Sequence, residues 1–158
     1  MERKEYLQED RWRGSFYEIS LELGPAGDDK CVDRALRALW SRPEVCGPWL
    51  DRSDVGAETV NVSAEVSYPR LYGSFVFDDG RDVGCMSHII RVDGESDWLD
   101  FSIPTGMLEY RFKVLYPLDR ASNPWMVDVD EALARVGSAI YDVVPYKLGI
   151  LGEETSGA

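Results

Sequence analysis

The chain consists largely of short segments in which apolar and polar residues alternate, and this pattern favours a fold rich in strands. In residues 14–23 the alternation places Tyr17, Ile19 and Leu21 on one side of the backbone, which is the period of a strand with one buried face. Comparable segments lie at residues 60–67, 71–77, 84–92, 97–103, 110–116 and 146–151, and residues 110–116 alternate most clearly. Short turns join most of them, so antiparallel pairing is expected.

Two stretches have the period of an amphipathic helix instead. One helix is predicted from Asp28 to about Ser41 and a second from Asp128 to about Val143. In the second, Asp128 is expected to be the N-cap, with Glu131 as its capping-box partner. The pattern therefore predicts an α+β fold, a single antiparallel sheet of five to seven strands with both main helices on one face. The opposite face is expected to be open to water.

The length of the chain fits one domain over residues 1–158, with residues 1–12 and 153–158 expected to fray. Residues 42–58 contain several Pro and Gly and show no sustained period, so they are expected to connect the first helix to the sheet. The order of elements also suits an alternative, an incomplete β-grip that encloses a small ligand between the sheet and the C-terminal helix.

The charge of the chain narrows the choice of partners. Twenty-nine Asp and Glu against seventeen Lys and Arg give a formal net charge of -12. A field of this sign repels nucleic acid and anionic lipid, so neither nucleic acid nor a membrane is expected as a partner. It favours a basic protein or a cationic ligand, and it also fits a charge that serves solubility alone.

The cysteines indicate a reducing compartment. Cys31, Cys46 and Cys85 are odd in number and widely spaced, which suits neither a disulfide framework nor a zinc site. The first residues are charged where a signal peptide would be apolar, and no apolar stretch is long enough to span a membrane. A cytoplasmic protein is therefore predicted.

The sequence predicts no catalytic residue, metal site or cofactor. Cys85 and His88 lie three apart in a predicted strand and so point to opposite faces. Residues 93–97 carry the alternate acids of a calcium loop, but Trp98 and Pro104 stand where an EF-hand needs Gly and Glu. No glycine pattern matches a nucleotide-binding loop.

Aromatic and acidic residues are expected to mix on the open face of the sheet. If Leu99, Phe101 and Ile103 face the helices, then Trp98 and Asp100 face outward. The predicted partner-binding residues are Tyr72, Asp93, Glu95, Asp97, Trp98 and Asp100. The aromatic rings would anchor a partner and the carboxylates would attract a basic surface. The competing interpretation is that both rings pack under a loop and that the acids sit on solvated turns.

These observations predict a non-enzymatic, acidic binding protein that engages a basic protein partner, specifically an immunity-type inhibitor of a bacterial toxin. The alternative is a small-molecule-binding domain or cofactor-free enzyme of the β-grip type, with His88, Tyr110 or Tyr116 in a pocket under the C-terminal helix. A structural subunit of a larger assembly is a third possibility. An apolar pocket under that helix would favour the alternative, whereas a filled core with an exposed Trp98 would favour the binding protein.

Overall fold

The computed structural model describes residues 1–62 and 70–155, and a sheet of six antiparallel strands runs through it. The strands are β1 (Phe16–Pro25), β2 (Val45–Trp49), β3 (Arg70–Val76), β4 (Asp82–Arg91), β5 (Ser96–Pro104) and β6 (Leu148–Glu153). Their order across the sheet is β2-β3-β4-β5-β1-β6. β1 therefore pairs with β5 and β6, which both follow much later in the chain, while β3, β4 and β5 form consecutive hairpins. The predicted α+β fold with a single antiparallel sheet is confirmed.

The helices are α1 (Arg3–Tyr6), α2 (Asp29–Trp40), α3 (Thr105–Arg111) and α4 (Trp125–Val143), with short 3-10 turns at Glu9–Trp12 and Arg52–Asp54. The two longer ones, α2 and α4, pack on the same side of the sheet, here named the helix face. Trp40 of α2 donates a hydrogen bond to Ser87 Oγ (3.1 Å), and α4 lies against Ile19. Ser87 and Ile19 both pair with Phe101, so they share one face. The opposite side is named the back face.

The first predicted helix is confirmed, and the second begins earlier than predicted. Asp28 caps α2 by accepting a hydrogen bond from the backbone N–H of Cys31 (3.1 Å). In α4 the N-cap is Pro124, so Asp128 lies in the first turn and the predicted cap is wrong. The extra turn is stabilised because it buries Trp125 and Met126 against the core. The apolar spacing of the residues after Asp128 does not indicate this contact.

The inner side of α4 fills the space above the sheet. Val129, Leu133, Val136 and Ile140 are all 0% exposed. At Gly137 the helix comes so close to β1 that an added Cβ would lie 2.7 Å from Ile19 Cδ1. Close packing of this kind leaves no gap for a ligand between α4 and β1 at this point. None of the helices within the described ranges has the length and apolar composition needed to cross a bilayer.

The strand predicted at residues 110–116 is wrong. Thr105–Arg111 forms α3 because a helical turn after β5 buries Met107 and Leu108 together, both 0% exposed. Of the alternating residues only Phe112 is buried, and Tyr116 is 58% exposed.

The connection predicted at residues 42–58 contains a strand that the sequence does not reveal. β2 pairs with β3 at the edge of the sheet, where Pro48 is tolerated because an edge strand has one side without ladder hydrogen bonds. The strand predicted at residues 60–67 falls mainly on residues outside those described, and residues 60–62 are not in a strand.

Residues 1–12 were expected to fray, but the structure shows them packed. Tyr6 is 1% exposed, and Trp12 Nε1 donates a hydrogen bond to the Tyr6 carbonyl oxygen (2.7 Å). At the other end Glu153 belongs to β6 and accepts a hydrogen bond from Ser15 (2.6 Å), and Thr155 is buried. Residues 156–158 lie outside those described. Two aromatic side chains thus hold the N-terminal segment on the back face, although its sequence is mostly charged.

Candidate binding surface on the back face

The back face brings together most of the side chains that the sequence assigned to the open face. β5 contributes Trp98 and Asp100, and β3 contributes Tyr72. Trp98 pairs with Ile90 of β4, whereas Tyr72 pairs with Met86, four residues earlier on the same strand. Because a strand rises about 3.3 Å per residue, the two predicted aromatic anchors lie at least about 13 Å apart. They share a face but do not form one site.

Trp98 belongs to a partly exposed row of side chains at the end of the β4–β5 hairpin, which is apolar except for Glu22. Ile90, Trp98, Glu22 and Leu148 are neighbours across four strands, and Trp98 and Ile90 are half-buried. Val92, which follows β4, is 43% exposed, and Leu148 is 46% exposed. Ile90, Val92, Trp98 and Leu148, together with the turn acids Asp93 and Glu95, are named the hairpin patch.

The turn acids of the hairpin patch are free to meet a partner. Asp93 and Glu95 are both exposed. The turn between them closes through a hydrogen bond from Glu95 N–H to the Val92 carbonyl oxygen (3.0 Å), with Gly94 at a φ of 80°. A residue with a side chain adopts that φ only at a cost, which explains the Asp-Gly pair in the sequence. The hairpin predicted there is confirmed.

Asp97 is not on the exposed surface. Its side chain is buried, and both carboxylate oxygens accept hydrogen bonds from Arg91, at 3.0 Å from Nε and 3.1 Å from Nη2. The backbone N–H of Gly27 also donates to it (3.2 Å). The hydrogen bonds with Asp97, and next those with Asp29, raise the pKa of Arg91. Asp97 therefore ties the hairpin to the segment before α2, and its charge is neutralised within the chain.

Asp100 is also buried, at 3% exposure, in a polar cluster at the middle of the back face. Its neighbours include Glu18, which accepts a hydrogen bond from Ser102 Oγ (2.7 Å), and Ser20, which shares a hydrogen bond with Thr155 (2.9 Å). Asp100 Oδ1 has no hydrogen-bond partner among the residues described. Burial, and after it the charge of Glu18, raises the pKa of Asp100 to about 6.

The carboxyl groups of Glu18 and Asp100 are closed off from molecules outside the protein. Glu18 and Asp100 are 1% and 3% exposed, so a substrate could not reach their oxygens in this conformation. Burial and the charge of Arg70 lower the pKa of the neighbouring His88. Cys85 lies on the helix face with 0% exposure, and burial raises its pKa well above the ordinary value, so its thiol is not activated. The prediction that Cys85 and His88 point to opposite faces is confirmed.

The residues proposed for a pocket under α4 do not converge there. His88 lies on the back face. Tyr110 donates a hydrogen bond to Glu5 of the N-terminal segment, and Tyr116 donates one to Glu109 on the surface. Across the described ranges, no three His, Cys, Asp or Glu side chains come together as metal ligands.

Tyr72, the other predicted anchor, stands in basic surroundings. It lines a cavity with Trp12 and with Arg13, Arg52 and Arg70. Sequence reasoning missed Trp12 because residues 1–12 were expected to fray, and it missed the three arginines because no local pattern places them around Tyr72. It also missed Leu148, which alternation on β6 could have placed beside Trp98 once the register was known. Partner binding by the six predicted residues stays a prediction, but only Asp93, Glu95 and Trp98 lie together on an accessible surface.

Comparison with protein-family models, with curated proteins and with solved structures finds nothing that matches this chain.

Proposed function

We propose that this chain is a non-enzymatic binding protein that engages a basic protein through the hairpin patch, in the manner of immunity-type inhibitors of bacterial toxins. The observation that carries the proposal is the combination of a partly exposed apolar row with the exposed turn carboxylates of Asp93 and Glu95. Trp98 supplies a rigid aromatic anchor, and Val92 and Leu148 extend the apolar contact beside it. Apolar centres with a charged rim are the usual anatomy of a protein interface.

The charge around the hairpin patch favours a basic partner. Asp93 and Glu95 on the turn lie close to the start of α2, because Ala26 N–H donates a hydrogen bond to the Glu95 carbonyl oxygen (2.9 Å). Asp28 and Asp29 at that helix start are exposed as well. Within this region Arg91 is occupied by Asp97 and Asp29. Lys30 and Lys147 are exposed nearby, but the exposed acids Asp28, Asp29, Asp93 and Glu95 outnumber them. The local field therefore has the sign of the whole chain, and it would speed the approach of a positively charged surface.

The remaining parts of the proposal concern the compartment and the absence of chemistry. Cys31, Cys46 and Cys85 are all free thiols, which supports a cytoplasmic protein. Fewer than three free thiols in protein denatured without reductant would contradict that placement. The buried state of Glu18, Asp100 and Cys85 supports a binding role over a catalytic one.

The test compares the wild type with Trp98→Ala as baits in extracts of the producing cells, with Tyr116→Ala as the matched control. Tyr116 is more exposed than Trp98, but it lies near α3, away from the hairpin patch. A basic protein retained by the wild type and by Tyr116→Ala, but lost with Trp98→Ala, is the expected result. Truncation of an anchor should cost about 2 kcal/mol or more, mainly through faster dissociation.

Charge variants separate steering from contact in the same complex. Asp93→Asn combined with Glu95→Gln should slow association and flatten its dependence on salt, while the dissociation rate changes little. If both Trp98→Ala and the double charge variant bind the purified partner with unchanged affinity and kinetics, the hairpin patch is not the interface.

A further inference from the structure

The cavity around Tyr72 on the back face has basic walls, although the chain as a whole is strongly acidic. It has a volume of about 220 Å³ and lies around Tyr72 and Met86, which are offset along β3 and β4 from the hairpin patch. Its walls are four large apolar side chains, one acid and three arginines: Trp12, Phe16, Tyr72, Met86, Glu9, Arg13, Arg52 and Arg70. This cavity is named the Trp12 pocket.

The N-terminal segment builds the pocket by placing Trp12 over the sheet. The Trp12 ring meets the Tyr72 ring edge to face, with centroids 5.6 Å apart, and is backed in the same way by Tyr6 at 5.1 Å. Gly84 makes this approach possible, because an added Cβ there would lie 2.8 Å from the Trp12 ring. The indole N–H is held by the Tyr6 carbonyl oxygen. The aromatic walls are therefore fixed in place before any ligand binds.

Two of the three arginines lack the partners that the other arginines have. Arg13 pairs with Asp10 at 3.1 Å. Arg52 and Arg70 make no hydrogen bond and no ion pair within residues 1–62 and 70–155, whereas every other arginine there donates to an oxygen of the chain. The Arg52 guanidinium lies 5.3 Å from the centroid of the Trp12 ring.

The unpaired state of these two arginines is notable in a chain with twelve more acids than bases. Carboxylates are abundant, and yet the one acid of the pocket wall, Glu9, forms no ion pair with either guanidinium in the described structure. A guanidinium presents a planar set of donors that matches the oxygens of a carboxylate or phosphate. Two such groups beside fixed aromatic rings make a site whose walls are both cationic and apolar.

We propose that the Trp12 pocket binds a small aromatic oxyanion, with its ring against Trp12 and Tyr72 and its carboxylate or phosphate on Arg52 and Arg70. The cavity is smaller than the roughly 300–1,000 Å³ of sites for drug-sized ligands, which restricts the ligand to about one ring and one anionic group. The negative field of the whole chain opposes this ligand at long range, but screening confines that repulsion to about 8 Å at physiological salt. The site lies apart from the hairpin patch, so it does not depend on the function proposed above.

Calorimetric titration of the full chain with phenyl phosphate, benzoate and inorganic phosphate tests the proposal. Phenyl phosphate or benzoate should bind at least about tenfold more tightly than inorganic phosphate, because only these probes use the aromatic walls. Arg52→Gln combined with Arg70→Gln should weaken that binding at least about tenfold. Arg120→Gln, which removes an exposed arginine paired with Asp130, is the control and should leave it unchanged.

Thermal unfolding of each variant shows whether it folds. If the double variant does not fold, the single variant Arg70→Gln replaces it, because Arg70 is at an exposed position. The indole N–H resonance of Trp12 should shift on titration in the wild type and stay in place in the arginine variant. The proposal is overturned if neither aromatic probe binds more tightly than inorganic phosphate, or if the arginine variants bind as the wild type does.

Discussion

Replacing Asp100 by Asn is expected to raise the free energy of unfolding near pH 7.5 and to change it little near pH 4. In the folded chain the carboxyl group is buried beside Glu18 of β1, and it pairs across the sheet with His88, which is close to Arg70. Burial is the main cause that raises the pKa of Asp100 from 3.8 to about 6, the Glu18 charge adds to it, and a hydrogen bond with Ser20 opposes it.

The sign of the effect follows from which state holds the proton. The folded pKa of Asp100 is above the unfolded one, so between about pH 4 and pH 6 the folded state keeps a proton that the unfolded chain has released. Stability from this residue is complete below about pH 4 and is lost as the pH rises through 6. The pKa of Asp100 rises from 3.8 to about 6, and each pH unit of that rise corresponds to 1.36 kcal/mol. The charged carboxylate therefore lowers the free energy of unfolding by about 3 kcal/mol at neutral pH. Asn has the same shape as Asp but carries no charge. Its hydrogen bond to Ser20 is weaker, so the expected gain in the free energy of unfolding is about 1–3 kcal/mol.

Urea denaturation of the wild type and Asp100→Asn at both pH values measures this difference. Asp93→Asn is the matched control, since it removes the same charge from an exposed turn, and its effect should be within about 0.5 kcal/mol at either pH. If Asp100→Asn lowers stability near pH 7.5, or shifts it equally at the two pH values, Asp100 is not a destabilising buried charge.

Three further substitutions test the packing described above. Leu133→Ala should lower the free energy of unfolding by about 2–5 kcal/mol in urea denaturation, through the cavity left under α4; a loss below about 1 kcal/mol would contradict close packing there. Arg91→Met should cost about 3 kcal/mol, because Asp97 would stay buried without its partner, and an unchanged midpoint would show that Asp97 reaches solvent. Tyr6→Phe should keep or raise the melting temperature, since the buried Tyr6 hydroxyl has no partner among the residues described; a clear decrease would reveal a bond to that hydroxyl.

Local patterns in the sequence were enough to predict most of the sheet and α2. Alternation marks β1 and β5 because apolar residues line their helix face and polar residues such as Glu18, Ser20 and Asp100 line their back face, although those polar residues are buried as well. The pattern misled at residues 110–116, where alternating aromatics belong to the end of α3 and an exposed loop. It was silent at β2, since Gly47 and Pro48 look like turn residues and only pairing with β3 makes them a strand.

The candidate surface could be predicted only in part. The alternation of side chains along a strand tells which face of the sheet a residue lies on, but it does not tell which other segment covers that residue. Trp98 was correctly placed on the back face by that rule. Asp97 and Asp100 lie beside it in sequence, yet Arg91 and Glu18 reach them from elements that local pattern does not connect. The Trp12 pocket depends on an N-terminal segment folding back over the sheet, a contact between distant residues that composition cannot reveal.

The position of β1 between β5 and β6 has a consequence for the time course of folding. β1 is synthesised early, but both of its hydrogen-bonding neighbours come from the later parts of the chain. While residues 26–95 emerge from the ribosome, both edges of β1 lack a strand to pair with, and the β3–β4 hairpin forms first because its pairing is local. Closure of the sheet therefore waits for β5 and then β6. Until then the backbone edges of β1 stay unpaired, so chaperone binding to nascent chains should be strongest before β5 is complete.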